Sequence, residues 1–235
     1  MKNHLSIRSY SRQRKGHSHD YHQLVLPVLG VINIEVGNYC GKVAPGECVV
    51  IHKTEMHHFT ADEEARFVVA DVSALPENLV SPPSLVFSVS PPLLSYLNFI
   101  EKQLEHKCND AIEKAMCDTF MLLLADQITP RQLDPRVRTS IEYILAHLAS
   151  ELSINIIAKA ACLSPTQLKK HFKAQMGVSI FTYITQARME KAKTLLTHTD
   201  YPIAIIAEKV GYLSPSSFSR RFNEHFGLSP KAFLR

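Results

Sequence analysis

Residues 16–30 read GHSHDYHQLVLPVLG, and a fourth relevant histidine, His57, follows in EMHHF. Neutral imidazoles do two kinds of work: they ligate zinc or iron, and they exchange hydrogen bonds with a polar ligand. In an extended chain the side chains alternate faces, so His17, His19, Tyr21 and Gln23 share one face and Ser18, Asp20 and His22 the other. His57 arrives from a second strand. Two chemistries follow. One is a polar effector pocket lined by His17, His19, Tyr21, Gln23 and His57, taking a small polar or amphipathic molecule. The other is a metal ion held by His17, His19 and His57. Gln23 is a weak, neutral ligand, and the sequence identifies no carboxylates to orient the imidazoles. The pocket therefore ranks first and the metal second, and no cofactor is expected.

The elements that must carry these side chains are short strands. Period-two segments recur at LVLPV (24–28), VINIEV (31–36), ECVVI (47–51) and RFVVADV (66–72), separated by GN, PGE and charged turns, a pattern that predicts a small β-barrel or sandwich. Residues 92–127 read as two helices broken near Cys108-Asn109-Asp110. Leu93, Leu97, Ile100 and Leu104 form one apolar stripe, and Ile112, Met116, Phe120 and Leu123 another. Such stripes either pack on their own domain or join two copies of the chain. PPSLVFSVSPP connects strands to helices, and ITPRQLDP (128–135) is a linker.

At 235 residues the chain suits two modest domains. With 46% hydrophobic and 20% charged residues it reads as globular, and no apolar run approaches the roughly 18 residues of a membrane span. The start, MKNHLSIRSYSRQRKGHSH, has charge but no apolar segment, so a secretory signal is not expected. Five cysteines at positions 40, 48, 108, 117 and 162, with no C-x-x-C pair, suit free thiols in a reducing cytoplasm. Charge is divided unequally. Residues 1–131 hold 12 Lys/Arg against 15 Asp/Glu, whereas residues 132–235 hold 14 against 7. A basic half points to a polyanion.

That half also contains a repeat. IIAKAACLSPTQLKKHFKAQMGVSIFTYI (156–184) matches IIAEKVGYLSPSSFSRRFNEHFGLSPKAFL (205–234), with one extra residue before the second Ser-Pro. Ser164 and Ser214 suit helix N-caps, Pro165 and Pro215 the first helical position, and Gly177 and Gly227 the stops. Leu168 and Phe172, then Phe218 and Phe222, fall four apart and face a core. Lys169, Lys170 and Lys173 lie outward on one helix, and Ser216, Ser219, Arg220 and Asn223 on the other, which is the layout of paired helix-turn-helix units. Between them, residues 179–199 predict one helix with Phe181, Ile184, Ala187, Ala192 and Leu195 on its apolar side. Ile141, Ile144, Leu145, Leu148 and Leu152 mark a packing helix upstream.

Residues 134–235 resemble the DNA-binding domain of AraC-type transcriptional regulators, most specifically in G-Y-x-S-x-x-x-F-S-R-x-F. The resemblance implies that Thr166, Lys169 and Lys170, then Ser216, Ser217 and Arg220, approach DNA bases, with Arg188 and the helix termini at phosphates; Lys173, on the outer side of its helix, is also expected at a phosphate. H17-x-H19-x3-Q23-x6-G30, with P45-G46-E47 and His57, resembles the cupin motifs. The expected fold is α+β in two domains. Residues 1–130 are a cupin-like sensor, with a β-barrel over about 1–85 and a helical dimerisation hairpin over about 92–127. Residues 131–235 are an all-α double helix-turn-helix domain. The implied protein is a cytoplasmic, sequence-specific transcription regulator, not an enzyme. Its partners are double-stranded promoter DNA, a small-molecule effector and a second copy through 92–127, with no membrane. The rival is a metal-dependent cupin enzyme with a basic helical appendage, against which stands Gln23 where catalytic cupins carry Glu.

Overall fold

The computed structural model describes residues 3–9, 16–61, 65–82, 84–106, 108–127 and 132–233. The expected boundary at 130/131 lies outside the described residues. Two compact units are found: Met1–Pro135 with 174–177, and Arg136–Lys173 with Val178–Arg235. The chain is thus mixed, a sheet unit followed by a helical one.

The first unit runs β1 (His4–Arg8), β2 (His22–Leu29), β3 (Ile32–Val36), β4 (Tyr39–Val43), β5 (Glu47–Ile51), β6 (His57–Ala61), β7 (Arg66–Val72), α1 (Glu77–Val80), β8 (Val86–Ser88), α2 (Pro91–Leu104) and α3 (Asp110–Ala125). The strands form two antiparallel sheets, ordered β1-β7-β2-β5-β8 and β4-β3-β6. Val25, Val49, Phe67 and Val69 of the larger sheet share a core with Ile32, Ile34, Val36 and Phe59 of the smaller. The expected barrel is not closed among the described residues. Each sheet ends in its own edge strands, and the inner faces meet by packing rather than through a shared hydrogen-bonded ladder.

The larger sheet is covered on its other face as well. Leu24, Leu26, Val50 and Val68 join Leu93, Leu97 and Ile100 of α2 and Met116, Phe120 and Leu124 of α3 in a second core. Burial on both sides explains why ECVVI has no polar alternation. It also settles the apolar stripes of α2 and α3: apart from Ile112, which is exposed, they are buried or partly buried within their own unit. Ser90 and Asn109 cap the two helices by accepting from the backbone N–H groups of Leu93 and Ile112.

The second unit is α4 (Pro135–Ala146), α5 (Ile154–Ala160), α6 (Pro165–Met176), α7 (Ile180–His198), α8 (Ile203–Lys209), α9 (Pro215–Phe226) and α10 (Pro230–Phe233). Ser164 and Gln167 cap α6 reciprocally, each side chain accepting the other's backbone N–H, and Ser214 caps α9 through the N–H of Ser217. Leu168, Phe172, Phe218 and Phe222 are fully buried. Phe181 departs from expectation at 53% exposure; Tyr183 takes the inward place and meets Phe172 edge to face at 5.4 Å.

The two helix-turn-helix turns share one backbone pattern. Cys162 and Gly211 both adopt left-handed φ, 53° and 79°, and the N–H groups of Leu163 and Tyr212 reach back to Ala158 and Ala207. The extra residue of the second copy is therefore Leu213, which is fully exposed. Gly211 is required twice over, because a Cβ there would also meet the Leu148 carbonyl oxygen at 2.5 Å.

Since Leu97 is a core residue, Leu97→Ala should destabilise the first unit by about 2–5 kcal/mol through lost burial and the cavity left behind. A urea denaturation midpoint equal to that of the unmodified protein would show that it is a surface position.

Candidate functional site

The histidines converge at the junction between the sheets. Strand β2 begins only at His22, so residues 17–23 are not one continuous strand face. Instead His17 forms a single antiparallel bridge with His57 at the start of β6: each backbone N–H donates to the other's carbonyl at 3.0 Å. That bridge sets the two rings 4.3 Å apart, and His19 lies 5.0 Å from His57. The Thr54 N–H, in the turn between β5 and β6, holds the His19 carbonyl at 2.6 Å. Thr54 sits at φ 65°, a left-handed conformation that a β-branched residue seldom adopts. Gly16 passes close to the β6 backbone; a Cβ there would approach the His57 carbonyl oxygen at 3.3 Å.

Each ring has a defined surrounding. His19 Nδ1 lies 2.7 Å from the Tyr21 carbonyl, and His57 Nδ1 lies 3.1 Å from that of Glu55. These carbonyls accept protons on Nδ1 and leave Nε2 unprotonated, the orienting part that sequence reasoning sought among carboxylates. Tyr21 stacks flat on His19 at 4.1 Å. Gln23 belongs to a neighbouring network. Its Nε2 donates to Asp71 Oδ1 at 2.7 Å, while Arg8 pairs with the other carboxylate oxygen. Gln23 and Asp71 are both buried. Neither Asp71 nor Arg8 was named from the sequence: Asp71 could have been found as the acid within the apolar run of RFVVADV, whereas Arg8 lies on a strand that the period-two pattern did not reveal.

Burial, the neighbouring His19 and the charge of Arg8 hold His17 below the ordinary imidazole range, and burial above all does the same for His57. Both are therefore neutral in the fold at pH 7.

In the helical unit Thr166, Lys169, Lys170 and Lys173 are exposed on α6, and Ser216, Ser217 and Arg220 on α9. The fold brings each set onto one outward face because Leu168 and Phe172, or Phe218 and Phe222, anchor the opposite side. Arg220 is loosely paired with Glu224 at 4.0 Å, which also accepts from Arg221 at 2.9 Å. Arg188 stands apart. Its Nε and Nη2 donate to the Leu148 and Ser150 carbonyls at 3.0 and 2.8 Å, and its guanidinium lies 5.7 Å from the Tyr212 ring centre. This geometry makes Arg188 a brace between α7 and the segment after α4.

The depressed His17 and His57 values set a pH dependence. Both groups are neutral, folded or unfolded, above about pH 6.5, the ordinary value. Below it the unfolded chain takes up protons that the fold refuses, so stability is lost as pH falls towards the folded values. The melting temperature of the first unit should drop between pH 7.5 and 5, and the drop should be smaller in His57→Gln. An equal drop in both would remove His57 from the cause.

Comparison with known proteins agrees with this layout. A helix-turn-helix domain family model matches residues 157–235. The probable transcriptional regulator LumQ of Photobacterium leiognathi is 22% identical over 97% of this chain and 94% of its own length. The arabinose operon regulatory protein of Escherichia coli is 39% identical over 102 residues, which span 43% of this chain and 35% of that protein. Among solved structures, the C-terminal domain of AraT, a response regulator from Geobacillus stearothermophilus, is 38% identical over 44% of this chain and 86% of that one, with a TM-score of 0.43. These proteins are regulators by name. Over its second unit, then, this chain is similar to the helix-turn-helix domains of AraC-type transcriptional regulators.

Proposed function

We propose that α6 and α9 are the recognition helices of a promoter-binding regulator whose first unit receives a small-molecule signal in the polar site around His17, His19, Tyr21, Gln23 and His57. The observation that carries the DNA side is the division of each helix into a fully buried apolar face and an exposed polar or basic one. On this reading the exposed Thr166, Lys169 and Lys170, with Ser216, Ser217 and Arg220, meet base edges, and Lys173 meets a phosphate. The α7 rod of 19 residues is about 28 Å long, suited to spacing two recognition helices near one DNA turn. Ser216 and Ser217 are short, so base discrimination in the second unit rests mainly on Arg220. The signal can change DNA binding only by favouring one state of the protein over another.

A second copy joins through α3. Ile112, Ala115, Thr119 and Leu122 are exposed and spaced three, four and three residues apart, with Leu122 at 70% exposure. This is the periodicity of a two-helix seam. It replaces the buried stripes of α2 and α3 as the candidate contact, within the same hairpin.

Two measurements test these readings. In DNA titrations, Arg220→Ala should cost about 1–3 kcal/mol and relax preference at one base, whereas Lys173→Ala should weaken all sequences alike and reduce the steep salt dependence. Equal, small effects of both would reject the assignment. In light scattering, the unmodified chain should be dimeric at micromolar concentration and Leu122→Asp a folded monomer; a monomeric unmodified chain would end the dimer reading.

A further inference from the structure

We infer that His17, His19 and His57 hold one divalent transition-metal ion of the zinc class, and that an open coordination position on it receives an anionic donor, such as a carboxylate, from a small molecule. One ring nitrogen from each histidine lies within 4.8 Å of those of the other two. His17 Nδ1, His19 Nε2 and His57 Nε2 are buried, and no protein group pairs with any of them. An unpaired buried polar atom is costly, and three at one point call for a common partner.

The tautomers narrow what that partner is. With Nδ1 of His19 and His57 facing carbonyls, their Nε2 atoms present lone pairs. A single cation can take a lone pair from both of them and from the buried His17 Nδ1 as well. Imidazole nitrogen donors suit zinc and its neighbours in the first transition row. Donors around such an ion stand about 3.4 Å apart for metal–nitrogen distances of about 2.1 Å. Small rotations about the broad imidazole χ2 torsion close that gap.

The charge pattern specifies the fourth ligand. Among the described residues no carboxylate joins the three histidines in the cluster. Asp71, a nearby acid, is engaged by Arg8 and Gln23. Three imidazole ligands carry no charge and leave the ion's double positive charge uncompensated. An anion is therefore the fitting occupant of the open position. The strained turn at Thr54, which holds the His19 carbonyl, is a further sign that the site is built rather than incidental. A regulatory effect of the ion rests on the sensor reading above; binding of the ion does not.

The test uses the full chain, stripped of metal and titrated with Co2+ at pH 7.5. One ion per chain is expected, with the intense visible bands of a four- or five-coordinate nitrogen site, and added acetate should shift those bands. His19→Gln and His57→Gln should each lower Co2+ affinity by about 100-fold or more, with circular dichroism confirming their fold. A control, His22→Gln with His52→Gln, alters a histidine pair outside the cluster and should bind as the unmodified chain does. Absence of saturable binding, the weak bands of a six-coordinate aqua ion in the unmodified chain, or binding indifferent to both cluster variants would overturn the metal site. Bands unmoved by acetate would overturn the anionic position. If the Co2+ site forms as expected but DNA affinity ignores the metal, the sensor reading fails while the site stands.

Discussion

The five-stranded sheet is buried on both faces, and the first unit is organised around that constraint. One face packs into the sandwich and the other lies under α2 and α3, so β2, β5 and β7 have almost no solvent side. Apolar burial at about 25 cal/mol per Å2 favours this arrangement over a half-exposed sheet. The consequences reach far. The helical stripes are consumed by the sheet, leaving Ile112 and Leu122 as large apolar side chains exposed on α3. Polar residues inside the sandwich must satisfy one another, which accounts for Arg8, Asp71 and Gln23 meeting in a single network.

At the histidine cluster that internal satisfaction stops. Burial favours neutral imidazoles and so presents lone pairs instead of charges. The isolated bridge between His17 and His57 fixes the spacing, and backbone carbonyls fix two of the tautomers. Neutral, oriented and unpaired nitrogen atoms are the state in which histidine is a ligand, whether its partner is a metal ion or the hydrogen-bond donor of a small molecule.

In the helical unit a repeated sequence gives a repeated backbone with different surfaces. Both turns use a left-handed residue, yet only the second has glycine there, because the Leu148 carbonyl and the Arg188 brace crowd the position. The first places Cys162 in the same conformation and carries its strain. The outer faces differ in chemistry: lysines on α6, and short hydroxyls with two arginines on α9. One scaffold thus supports two unlike contacts.

By itself the sequence determined the helical unit, because Ser-Pro helix starts, glycine stops and apolar positions four apart are local signals that do not depend on distant partners. Ser164, Ser214, Phe172 and Phe222 were readable in this way, as were the outward lysines and Arg220. The strands with long apolar runs were readable as well. Tertiary structure alone decided matters that turn on what packs opposite. Strands β1, β4, β6 and β8 have weak or mixed patterns and exist through their pairing partners. Whether α2 and α3 face a core or a second chain depended on the sheet beneath them. The site was half legible: His17, His19 and His57 could be named from their type and spacing. Their convergence, the carbonyls that orient them and the capture of Gln23 by Asp71 arise from contacts between residues far apart in the chain, which no local pattern records.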